Sequence, residues 1–192
     1  MRICVYGAAS PSIDKNFISL TEEMGKKLAL DGHSLVFGGG GNGLMGAAAR
    51  GFKEGNGKIL GVIPSFFDKE EIEAICDFCN ELIMPETMRE RKQIMEDNSD
   101  AFIVVPGGIG TYEEFFEILT LKQLCRHNKP IAVYNQYGYY DELYETMKQA
   151  VNKRFIKEDC LDLFLISNNL EEIVNYITSE QKQRTIKELK EG

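Results

Sequence analysis

The chain has 192 residues, 43% of them hydrophobic, and a formal net charge of −8. That length and apolar content suit one domain with a sizeable core; the acidic balance disfavours a nucleic-acid or anionic-membrane surface but permits a local basic pocket for a phosphate. No apolar run approaches the ~20 residues of a membrane span, residues 1–7 are too short an apolar stretch for a signal peptide, and a cytoplasmic protein is expected.

Five cysteines, Cys4, Cys76, Cys79, Cys125 and Cys160, form an odd and scattered set, which argues against a disulfide framework. Cys76-Asp77-Phe78-Cys79 is a lone CxxC. Zinc would need a second ligand pair, and His33 and His127 do not supply one by spacing. A redox pair and a purely structural pair both remain open.

In chain order, residues 2–6 read as a first strand, followed by a small-residue loop, Gly7 to Ser12. A helix over about 13–30 follows from Phe17, Leu20, Met24 and Leu28, spaced by three or four. Gly32 stops it, and His33 reads as a turn residue. Residues 34–37 are a second strand. A glycine tract then opens a helix over about 44–54, and within it Gly41-Asn42-Gly43-Leu44-Met45-Gly46 fits Gly-x-Gly-x-x-Gly. The fit is weak evidence for a dinucleotide. It follows the second strand, the next strand (59–63) ends in Pro64-Ser65 without a ribose-binding acid, and no P-loop lysine is present. A phosphate cradle is the expectation; the alternative is a turn that only packs a helix close to a strand.

Residues 65–79 are charged and mixed, suited to a short helix covering an edge or a site. A strand over 80–84 leads through Pro85-Glu86-Thr87 into a helix over 88–98. On that helix Met88, Arg91 or Lys92, and Met95 share one face. A cation there needs an anionic partner, either a carboxylate of this chain or a bound phosphate. The bland alternative is a snorkelling surface pair. Arg89 and Glu90 read as solvated face.

Residues 101–105 form a buried-type strand, and Pro106-Gly107-Gly108-Ile109-Gly110-Thr111-Tyr112-Glu113-Glu114 turns it into a helix over about 115–126. Glycines at such a turn gather backbone N–H groups into an anion site. Thr111 and Glu114 carry two readings: a capping box, or a catalytic carboxylate beside the anion site. The 115–126 helix is apolar on more than one face, which calls for burial, here by a second subunit. A strand (130–134), a helix (139–153), a short strand (164–166) and a helix (170–177) complete the domain, residues 1–178, before a charged tail, residues 179–192. No internal repeat and no linker is seen. The alternation predicts an α/β, Rossmann-like doubly wound parallel sheet in a single domain. Three loops then gather at the carboxyl ends of the strands, and a nucleoside monophosphate is the natural ligand.

Met88-Arg89-Glu90-Arg91-Lys92 fits Met-x-x-Arg-Lys, and residues 106–114 fit Pro-Gly-Gly-x-Gly-Thr-x-x-Glu. Together they resemble the LOG ("lonely guy") family, cytokinin riboside 5′-monophosphate phosphoribohydrolases long mislabelled lysine decarboxylases. The similarity runs from the first strand to about Ile177 and takes in Gln123, Lys129-Pro130 and Gly138-Tyr139-Tyr140. It implies hydrolysis of the N-glycosidic bond of a purine nucleoside 5′-monophosphate, adenine or N6-substituted adenine, to free base and ribose 5-phosphate. It implies a homodimer with sites at the subunit interface. No cofactor is expected, and no metal either, because the sequence shows no convincing metal-ligand cluster and helix N-termini can hold the phosphate. It makes Arg91 and Glu114 the catalytic pair. Met88, Lys92, Gly107, Gly108, Ile109, Gly110, Thr111, Glu113 and Thr120 line the nucleotide site, with Gly39, Gly40, Gly41, Asn42 and Gly43 beside it. This chain departs at Tyr6-Gly7-Ala8-Ala9-Ser10, where many relatives have Cys-Gly-Ser-Ser, and at Leu121, where plant members often carry tryptophan.

A lysine decarboxylase would need a cofactor with its Schiff-base lysine, which nothing marks. The rival of a different class is a nucleotide- or cofactor-binding carrier without turnover, which has no need of a carboxylate in an anion site. An NAD(P) oxidoreductase is weakened by the missing ribose acid.

Overall fold

The computed structural model describes residues 1–69 and 74–179. Among the described residues seven strands build one sheet: β1 (Arg2–Tyr6), β2 (Ser34–Phe37), β3 (Ile59–Val62), β4 (Glu81–Ile83), β5 (Ala101–Val104), β6 (Ile131–Tyr134) and β7 (Leu165–Ser167). Their order is β4-β3-β2-β1-β5-β6-β7, and every pairing is parallel. The chain walks outward from β1 to β4, then returns to place β5 on the other side of β1. The crevice between β1 and β5 is therefore the topological switch point, where open parallel sheets bind their ligands.

Central strands must be apolar on both faces, and these are. Ile3 and Val5 of β1, with Ile103 of β5, point into one core, covered by α1 (Lys15–Leu30), α2 (Gly43–Glu54) and α7 (Leu170–Thr178). Cys4 and Tyr6, with Phe102 and Val104, point into the other, covered by α4 (Met88–Asp97), α5 (Ile109–Gln123) and α6 (Asp141–Asn152). That is the doubly wound arrangement expected from the alternation of elements.

Boundaries differ where turn chemistry overrides apolar periodicity. α5 begins at Ile109, six residues ahead of the expected start at 115, because Gly108 serves as its N-cap. The first turn is Ile-Gly-Thr-Tyr, which carries no apolar period to announce a helix. The 65–79 stretch holds α3 (Ser65–Lys69); its residues 70–73 lie outside the described residues, as does 180–192 of the expected charged tail. Gln136–Gly138 and Glu158–Leu163 are 3₁₀ turns that the periodicity did not separate from their neighbours. Among the described residues no helix is long and apolar enough to cross a membrane.

Candidate active site

The junction of β5 and α5 is the centre of the site. Gly108 has no side chain with which to cap α5, and among the described residues no side chain is seen to cap it, so the first N–H groups of the helix have no intrahelical acceptor. The carbonyls leading into it are all held. Tyr140 Oη donates to Val105 O at 2.8 Å, Ala8 N–H to Pro106 O at 3.1 Å, and Tyr139 Oη to Gly107 O at 2.8 Å. A β-carbon at Gly107 would lie 2.1 Å from Thr111 Oγ1, so the Thr111 hydroxyl rests directly over that glycine. Beside the junction a cleft of about 190 Å³ is lined by Ala8, Phe17, Leu44, Pro106, Gly108 and Tyr139, among others.

One helical turn beyond Thr111 stands Glu114, and across from it Arg91 of α4. Arg91 Nη1 donates to Glu114 Oε1 at 2.9 Å, and Arg91 Nε donates to the Val62 carbonyl at 3.1 Å. Both side chains are about 8% exposed. Arg91, not Lys92, is thus the buried cation of the α4 face. Burial pushes the Glu114 carboxyl up to about 6, against the opposing pull of Arg91. The carboxylate is therefore ionised at neutral pH, but only just beyond its titration range.

The capping-box reading of Thr111 and Glu114 does not hold. Thr111 is the third residue inside α5 and Glu114 the sixth, too far along to cap anything. The capping box lies instead at Thr87 and Glu90, each side chain bonding the other's backbone N–H at the start of α4. Glu90, read from sequence as solvated face, fixes the helix that carries Arg91.

The other expected residues divide. Gly107, Gly108, Ile109, Gly110 and Thr111 surround the N-terminus of α5. Lys92 is held by carboxylates of α5. Its ammonium is bound by Glu113 and, at 2.7 Å, by Glu117, a partner the sequence reading missed. Glu113 therefore acts as an ion-pair partner on the α5 surface. Met88 is 39% exposed at the start of α4. Thr120 is exposed and lines a separate groove between α5 and α6, with Phe116, Leu119, Gln123, Leu143 and Met147. Within one chain it does not join Arg91 and Glu114.

Gly39, Gly40, Gly41, Asn42 and Gly43 lie at the carboxyl end of β2, but several of their polar groups are already engaged. Gly41 N–H donates to Ala74 O at 2.6 Å, and Cys76 N–H to Gly39 O at 2.8 Å. The N–H of Leu44, at the start of α2, donates to Ala8 O at 2.8 Å. Asn42 makes no side-chain cap. The preceding Gly38 has a spatial role: a β-carbon there would fall 2.1 Å from Arg91 Nη2. Cys76 and Cys79 are free thiols, hydrogen-bonded to each other. Among the described residues no group of three or more metal-ligand side chains gathers.

A family model described as "Possible lysine decarboxylase" matches residues 45–177. The chain is 38% identical over 170 residues to the cytokinin riboside 5′-monophosphate phosphoribohydrolase of Mycobacterium tuberculosis, covering 88% of this chain and 89% of that protein. It is 35% identical over 173 residues to the cytokinin riboside 5′-monophosphate phosphoribohydrolase LOG of Oryza sativa subsp. japonica, covering 90% and 71%. The chain belongs to the LOG family.

Solved structures with the same architecture include the molybdenum cofactor binding protein of Rippkaea orientalis, with TM-score 0.68, 22% identity, and 91% of this chain and 93% of that chain covered. The Moco carrier protein of Chlamydomonas reinhardtii superposes with TM-score 0.67 at 21% identity, covering 90% and 92%. At that identity the likeness concerns fold alone. In this LOG-family chain the departure at Ala8 costs the brace nothing, because Ala8 acts through its backbone, donating to Pro106 and accepting from Leu44. The departure at Tyr6 fills the core beneath the ion pair: Tyr6 is 1% exposed and stacks on Phe102 at 6.0 Å.

Proposed function

We propose that this chain is an N-glycosidase that hydrolyses a purine nucleoside 5′-monophosphate to free base and ribose 5-phosphate, with Arg91 and Glu114 as its catalytic pair. The observation that carries the reading is a buried, arginine-held carboxylate one turn beyond an uncapped helix N-terminus. The helix N-terminus suits the 5′-phosphate. Glu114 then stands within a ribose's reach of it, where positive charge builds at the anomeric carbon. One carboxylate can stabilise that ribosyl cation and draw a proton from the attacking water, as in the two-carboxylate logic of glycosidases.

Arg91 stays protonated at neutral pH and so does not supply a proton to the leaving base. Its part is to orient Glu114, with Val62 O fixing the guanidinium from the far side. Without Arg91, burial would drive Glu114 toward its neutral form, which serves neither role.

The proposal includes a homodimer in the cytoplasm. Phe116 on α5 is 38% exposed and Leu124 at its C-cap 52%, and the α5–α6 groove is about 280 Å³. A second copy covering that groove would bury the apolar excess of α5. It would also bring Thr120 to an interface, where the family places its sites.

The deciding experiment is incubation with AMP and isopentenyl-AMP, with released base read by chromatography. Base release that disappears in Glu114→Gln supports the hydrolase. Tight AMP binding without any base release would instead make the protein a carrier.

A further inference from the structure

Consecutive tyrosines, Tyr139 and Tyr140, hold consecutive parts of the phosphate loop, and they hold them differently. The turn Gln136–Gly138 delivers both, with Tyr137 at φ 53° and Gly138 at φ 75°. A β-carbon at Gly138 would lie 2.6 Å from Asp141 Oδ2, so glycine is needed for the turn to close. Tyr140 is 1% exposed, and its hydroxyl donates to Val105 O. The Pro106 carbonyl is satisfied inward by the Ala8 N–H.

The next peptide is the first that faces outward. Tyr139 Oη binds its carbonyl, Gly107 O, at 2.8 Å. In a trans peptide the N–H points opposite to the C=O, so fixing Gly107 O fixes the direction of the Gly108 N–H. That direction is away from Tyr139. Open space surrounds Gly108 and Gly110, where an added β-carbon would meet nothing within 4 Å. The Tyr139 ring is itself held edge-on by Tyr140 at 5.0 Å and Phe17 at 6.3 Å, and the Tyr112 hydroxyl is hydrogen-bonded to its own.

We propose that Tyr139 is a positioning residue for the substrate phosphate: its hydroxyl locks the Gly107–Gly108 peptide so that the Gly108 N–H is aimed at the anion before it binds. This rests on the reading of the α5 N-terminus as the phosphate seat. Glycines on both sides make the peptide free to rotate, so a lock from a side chain has an effect that a stiffer sequence would not need. Tyr140, by contrast, is structural, since the peptide whose carbonyl it binds ends in Pro106 and has no N–H to aim.

The test pairs Tyr139→Phe with Tyr140→Phe, each removing one hydroxyl. Inorganic phosphate and AMP binding are measured by calorimetry, KM and kcat with AMP and with adenosine, and Tm by thermal melting. Tyr139→Phe is expected to bind phosphate and AMP about ten-fold more weakly, the equivalent of one ordinary hydrogen bond. Its KM for AMP should rise by the same factor, while kcat/KM for adenosine, which lacks the phosphate, stays within about two-fold. Tyr140→Phe should lower Tm more than Tyr139→Phe does, with phosphate affinity within about two-fold of the parent. Equal phosphate affinity in the parent and Tyr139→Phe overturns the inference. So does an equal loss for AMP and adenosine, which would mark a general distortion. A parent that binds AMP and phosphate but releases no base would overturn the hydrolase reading while leaving the role of Tyr139 intact.

Discussion

Gly38 and Arg91 lie so close that the glycine decides where the arginine can be: a β-carbon on Gly38 would sit 2.1 Å from Nη2, well inside contact distance. The glycine tract after β2 thus makes room for the Arg91 guanidinium.

Gly38→Ala should therefore behave as a mild Arg91 variant. The guanidinium must swing away from Glu114, and the 2.9 Å pair opens. Base release from AMP is expected to fall at least about ten-fold, while overpacking costs about 1–3 kcal/mol of stability. Turnover per folded protein and denaturant midpoint, measured together, check this; unchanged turnover would refute the claim that Gly38 governs the place of the guanidinium.

Glu114→Gln and Arg91→Ala should separate chemistry from support. Glutamine removes the charge that faces the ribosyl cation, so turnover should drop on the order of 10²–10³-fold with AMP affinity retained. Arg91→Ala leaves a buried carboxylate without its partner, an arrangement that costs about 3–5 kcal/mol. Its Tm should fall along with its turnover. Glu114→Gln with normal base release would sink the assignment.

The acid limb of the rate profile follows from Glu114, whose carboxyl sits at about 6 against an ordinary 4.5. Turnover needs the ionised form, so kcat should rise with pH up to about 6 and then level. Stability should run the other way. Between 4.5 and 6 the folded chain holds a proton that the unfolded chain has released, so this group's contribution to stability falls as pH rises through that window. The substrate phosphate also loses a proton near pH 6. AMP affinity measured across the same range separates the two titrations; a flat kcat from pH 5 to 8 would contradict the role given to Glu114.

Light scattering at micromolar concentration should give about twice the 21.7 kDa chain mass. Phe116→Glu, in the α5–α6 groove, should shift it to the monomer and lower turnover with it. A parent protein already at the monomer mass refutes the dimer.

The sequence alone determined most of the fold and singled out Arg91 and Glu114, which the structure brings together. Short apolar runs of β-branched residues alternating with helical periods lead to one parallel sheet, because buried parallel strands have no polar face to show. The resemblance of the two motifs to the LOG family pointed to Arg91 and Glu114 as the pair; the residues by themselves left the cation of the α4 face as Arg91 or Lys92, and Glu114 as a cap or a catalytic carboxylate. Only the tertiary structure settled which of two adjacent cations was buried, since Arg91 and Lys92 share the same helical period to within one position. It reassigned Lys92 to Glu113 and Glu117 of α5 and moved the capping box from Thr111–Glu114 to Thr87–Glu90. The pairing of Lys92 depends on where α4 and α5 lie against each other, which no local spacing encodes; the Thr87–Glu90 box is itself a local Thr-x-x-Glu, told from Thr111–Glu114 only once the helix starts are known. The holds on Gly107 and Arg91 were equally out of sight. Tyr139 reaches its carbonyl across 32 residues and Val62 takes the guanidinium across 29. Such contacts are set by packing across the carboxyl edge of the sheet, and a backbone carbonyl leaves no mark in the sequence.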